Sequence, residues 1–140
     1  MIVVKISMKL LSLSLLFMLL FACSSGESET KDIAIGKAVF EASCVVCHGK
    51  EARGLVSNWK VKTADGKYPA PPLNGSAHAW HHSPLQLLQT INEGGIKLGG
   101  QMPGFQGKLT EIEKQAVLDY IHSLWPNDIQ KKYDKRYGDL

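Results

Sequence analysis

Past residue 21 the 140-residue sequence has no long apolar run, and nowhere does it show an internal repeat or a convincing strand pattern. A bilayer-spanning domain, a repeat array and a sheet-based core are set aside together. Cysteine is scarce, with three in the whole chain, and no second cysteine pair exists to complete a usual structural zinc site. Methionine is scarce too: of four, Met1, Met8 and Met18 precede residue 22, which leaves Met102 alone in the rest. The formal net charge of +3 includes Lys5 and Lys9, so the remainder is nearly neutral, too mild to point to nucleic acid.

What is present begins with an apolar stretch, "LLSLSLLFMLLF", preceded by Lys5 and Lys9. It is short for a membrane span and fits the apolar region of an export signal. Met8 opens a complete short signal and is a candidate start. The stretch ends in "LFAC", which resembles the lipobox of bacterial lipoproteins, with Phe21 an unusual residue in that motif. That resemblance implies a signal peptide over 1–22, a lipidated Cys23 and a flexible tether over 23–31. The implied location is outside the cytoplasm, on a membrane and facing the periplasm or cell exterior, where an idle thiol pair tends to oxidise.

The folded part is expected over 32–126. Asp32 is placed to cap a helix running to about Ser43, with Ile35, Val39 and Phe40 at helical spacing and Gly36 open to close approach. Residues 51–70 show no period and read as a loop with a turn at "ADGK". Ser83 and Pro84 start a second helix, whose buried stripe is Leu87, Leu88 and Ile91 and which Gly94 and Gly95 stop. Thr110 and Glu113 form a capping box for a third, with Ile112, Ala116, Val117, Tyr120, Ile121 and Leu124 on one face. The segment 127–140 reads as a charged, solvated tail in preference to a docking segment.

Chemistry concentrates in "CVVCH", where three readings compete. A thioredoxin-like dithiol requires a βαβ setting that is missing, and zinc would have to recruit ligands from His78, His81, His82 or His122. Cys44-x-x-Cys47-His48 is instead the spacing for covalent attachment of c-type haem. Two thiols three residues apart can bond the vinyl-derived carbons of one porphyrin edge, and the next residue, His48, reaches the iron. Met102, in the glycine-rich "GGQMPGF", is by elimination the candidate sixth ligand, since a core methionine would sit on a periodic face.

On these residues, with Gly36 and Phe40 of the first helix, "PPLNG" and "MPGF", the sequence resembles the class I monohaem cytochromes c, in particular membrane-tethered bacterial members. The resemblance covers about Lys31 to Trp125. It implies an all-α fold of three to four helices and long loops around one covalent haem, with Gly36 and Phe40 crossing the last helix near Tyr120. It further implies that the Pro71 carbonyl accepts a hydrogen bond from His48. The span between His48 and Pro71 is longer than in compact members, so 51–70 reads as an insertion.

"HAWHHSP" departs from the pattern. Trp80 and His81 are candidates to pack near the haem and meet a propionate, and an exported histidine cluster is the alternative, as a copper site.

The function expected is one-electron transfer in a respiratory chain, without enzymatic turnover. The partners expected are redox proteins, such as an oxidase, a peroxidase or a copper protein. Two alternatives stay open: a haem-based sensor with a displaceable Met102, and a copper-handling accessory.

Overall fold

A computed structural model describes residues 25–138; the segment expected to be an export signal, and Cys23, lie outside the described residues. Among the described residues there are five α-helices, three short 3-10 turns and no strand. We number the helices α1 (Ser25–Ser43), α2 (Val45–His48), α3 (Pro84–Glu93), α4 (Glu111–Ser123) and α5 (Asn127–Tyr137). The all-α expectation holds, and the helix count exceeds it. None of these helices is long and apolar enough to cross a membrane.

Helix α1 does not start at Asp32: it is already helical at Ser25, within the stretch expected to be a tether. Local polarity marks a segment without a core-facing stripe, but it does not prevent an adjoining amphipathic helix from extending through it. Both capping expectations further along are met in detail. The Ser83 hydroxyl accepts from the Gln86 backbone N–H, and Thr110 does the same for Glu113, each with its reciprocal side-chain bond.

The core of the compact unit Asp32–Leu140 is the crossing of α1 and α4. At Gly36 an added Cβ would lie 1.8 Å from the Ala116 carbonyl oxygen, so only glycine permits this approach. Phe40 lies beside it with its ring centroid 5.5 Å from that of Tyr120. Helix α3 packs on α4. Ile112, expected on the buried face of α4, is instead 72% exposed. The buried residues near the start of α4 are instead Lys114, Ala116, Val117 and Leu118.

The largest correction concerns residues 127–140. Residues 127–137 are not a solvated tail: they form α5, docked by Tyr133, which is 1% exposed, and by the half-buried Ile129 and Tyr137. These three recur at four-residue spacing, one face of a helix otherwise made of charge. Tyr133 packs edge-on to Trp125 at 4.9 Å and to Tyr137 at 4.9 Å. The Tyr137 hydroxyl donates to the His81 carbonyl at 3.0 Å. His122 bonds Asp134 at 2.8 Å across the α4–α5 corner.

Candidate functional site

Cys44 follows the end of α1, and α2 is a single turn that rises directly from it. Its amide ladder, Cys47 and His48 to the Cys44 carbonyl at 3.1 and 2.9 Å, places two thiols and an imidazole on one helical turn. The cysteines are unbridged, Cys44 half-buried and Cys47 exposed. Burial pushes the Cys44 thiol up to about 11, with the neighbouring Cys47 adding to it.

His48 is buried at 7% exposure, and its Nδ1 lies 2.9 Å from the Pro71 carbonyl oxygen. A carbonyl can only accept, so Nδ1 carries the proton and Nε2 keeps its lone pair. Burial holds the His48 pKa below the usual histidine value, with the Pro71 bond opposing, which favours the neutral ring.

Two loops enclose this imidazole. Gly49 turns at φ 73°, where a Cβ would meet the Gly54 carbonyl oxygen at 2.6 Å, and the Gly54 amide returns to His48 O at 2.6 Å. Among the described residues, Glu51 and Ala52 are the non-glycine residues at positive φ, 52° and 56°. This uncommon backbone presents the Ala52 carbonyl to the Leu73 amide at 2.7 Å, so "CHGKEA" and "PPL" are joined main chain to main chain. From the far side the Trp125 indole donates to Leu73 O at 2.7 Å.

Met102 is half-buried and packed against the core cluster. Its segment lies along the open end of α3: Phe105 and Gln106 amides donate to Ile91 and Asn92 carbonyls at 2.9 and 3.2 Å, and Gly95 N donates to Met102 O at 2.9 Å. These carbonyls would otherwise be the orphan acceptors of a helix end.

Residues 51–70 have two hydrogen-bonded turns and no strand. They hold the other side of the Met102 loop, with Tyr68 N to Gly99 O at 2.9 Å and Gln101 Nε2 to Asp65 Oδ2 at 3.0 Å. Neither bond was legible beforehand, because the stretch carries no period.

Trp80 is half-buried with its ring 3.9 Å from that of His81. His78 stacks on Trp59 at 5.1 Å and meets His82 edge-on at 5.4 Å. Among the described residues no three His, Cys, Asp or Glu side chains are grouped as metal ligands would be. Lys97 pairs with Glu93 at 3.5 Å and Lys108 lies over Phe105, while Lys50 is exposed.

The donor set fits a covalently held haem: two thiols on one turn, and beside them a neutral, oriented imidazole in an enclosed cradle.

The family described as "Cytochrome C oxidase, cbb3-type, subunit III" matches residues 31–121. The cbb3-type cytochrome c oxidase subunit FixP of Bradyrhizobium sp. (strain ORS 278) is 30% identical over 93 residues, 66% of this chain and 28% of that protein. Subunit CcoP of Rhodobacter capsulatus is 31% identical over 96 residues, 64% of this chain and 28% of that protein. Cytochrome c6 of Synechocystis sp. is 28% identical over 90 residues, covering 64% of this chain and 63% of that protein. The chain therefore matches 28% of the length of the two oxidase subunits. No solved structure matches.

Proposed function

The chain belongs to the cytochrome c family described by subunit III of cbb3-type oxidases and carries haem c, and from that premise we propose that it is a one-electron carrier. In this reading Cys44 and Cys47 anchor one haem, and His48 and Met102 are the axial ligands of its iron. The bound haem supplies a reversible one-electron couple.

The observation that carries the reading is the His48 Nδ1 bond to Pro71 O at 2.9 Å. It leaves Nε2 as the only ring nitrogen with a free lone pair, fixes the ring plane, and makes the imidazole more basic. On the other side, a thioether favours the ferrous state and raises the potential. If both side chains held the iron, no position would be left for a substrate, so the role proposed is transfer rather than turnover. Three main-chain bonds on the Met102–Gln106 segment favour this over a sensor whose methionine leaves readily.

Two of the three relatives named above are oxidase subunits, which supports an oxidase as the electron acceptor. Export, with lipid on Cys23, would hold the carrier on a membrane surface beside it.

The test is the ferric absorption spectrum of the haem-loaded protein. A weak far-red band from charge transfer between thioether and iron is expected, and Met102→Ala should abolish it. A wild type without that band, or with rapid carbon monoxide binding in the ferrous state, overturns the ligand assignment.

A further inference from the structure

Lys114 is a lysine in the wrong place for one: it is 1% exposed, on the face of α4 that meets α3. Burying an ammonium is costly unless its hydrogens find partners. Here Nζ lies 2.6 Å from Asn92 Oδ1 and 2.5 Å from Glu111 Oε1. Glu111 is exposed, its side chain at 81%, and can follow the lysine from solvent. Asn92 is different, because it belongs to the last turn of α3.

That turn carries the Met102 segment. The Asn92 and Ile91 carbonyls accept from Gln106 and Phe105, and the chain passes so close that a Cβ at Gly104 would stand 2.6 Å from Asn92 O. At Gly94 a Cβ would stand 2.5 Å from Met102 O. The segment therefore has little freedom of its own: where the end of α3 goes, Met102 goes. The ammonium of Lys114 fixes that end to α4, the helix that also crosses α1 next to the cysteine motif.

We infer that Lys114 is a positioning residue for Met102, acting through Asn92 to set how firmly the methionine is held toward the iron. The inference rests on the proposal that Met102 is an axial ligand. Lys114 touches neither iron nor thioether, and a purely structural role would alter global stability alone. A positioning role alters the local opening of the Met102 segment beyond any global change.

The experiment uses the haem-loaded protein and imidazole, which binds ferric iron only when the methionine has left. In Lys114→Met and in Asn92→Leu, the apparent imidazole affinity should rise about tenfold, as expected for loss of a hydrogen bond to a charged group. Amide exchange at Phe105 and Gln106 should quicken by a similar factor, after scaling to global stability from denaturant unfolding. The double variant should add little to the larger single effect, since both remove one link. Lys114→Gln, which keeps a donor, should recover part of the loss and serves if Lys114→Met does not fold.

Unchanged imidazole affinity and unchanged exchange at Phe105 and Gln106, once scaled, overturn the inference. A wild type lacking the far-red band overturns the ligand proposal and with it the link to iron. The two failures are distinct, because amide exchange reports the anchoring without reference to the band.

Discussion

The indole Nε1 of Trp125 donates to the backbone carbonyl of Leu73 at 2.7 Å, joining the end of α4 to the loop that orients His48. The amide of the same Leu73 donates to Ala52 O at 2.7 Å, and Pro71, two residues earlier, accepts from the imidazole at 2.9 Å. One side chain thus holds the loop on which the His48 tautomer depends.

Trp125→Phe keeps most of the ring packing and removes the donor. Stability should fall by about 1–3 kcal/mol, the cost of leaving a buried carbonyl unpaired. Loosening the Pro71 contact makes His48 less basic and should raise the reduction potential. Denaturant unfolding and redox titration check the two, and an unchanged potential argues against transmission through Leu73.

Among the described residues, the Tyr133 hydroxyl is the buried side-chain polar atom without a hydrogen-bond partner, and burial pushes its pKa up to about 12. Removing an unpaired polar atom removes its desolvation cost, so Tyr133→Phe should stabilise by about 1 kcal/mol. Tyr133→Ala, which empties the site beneath α5, should cost about 3–5 kcal/mol. Thermal unfolding of the pair decides; destabilisation by Tyr133→Phe would mean that the hydroxyl has a partner.

Gly36→Ala drives a methyl group into the Ala116 carbonyl oxygen, 1.8 Å from the ideal Cβ position. The helices must separate, at a cost of about 3 kcal/mol. Circular dichroism melting checks this. Loss comparable to a surface helix substitution would show that α1 and α4 do not cross this tightly.

Glu113 accepts from the Thr110 backbone N–H at 2.8 Å and the Thr110 hydroxyl at 2.9 Å, and these bonds hold its pKa below the usual 4.5. Because the folded value is lower than the unfolded one, the stabilisation is fully present above 4.5 and is lost as pH falls through the folded value. Glu113→Gln should flatten that part of the acid limb. Denaturation midpoints taken from about pH 6 down to about pH 3 test it; parallel curves for the two proteins would refute it.

What was readable along the chain was whatever depends on neighbours in sequence. The C-x-x-C-H turn, the Ser83 and Thr110 caps and the glycine stop at Gly94 each involve residues within one helical turn, so local chemistry specifies them. Resemblance extended this to Gly36 against α4, a contact between distant segments that no local pattern implies.

The tertiary structure decided the rest. A highly charged segment became α5 because three side chains, Ile129, Tyr133 and Tyr137, found a surface built by Trp125 and the 79–81 turn. Ile112 is exposed while Lys114 is buried, and the burial of Lys114 depends on the acceptor that Asn92 supplies. Burial of a charge and docking of a polar helix depend on partners far along the chain. Composition can say that such residues exist; only the fold brings the partner that makes their burial possible.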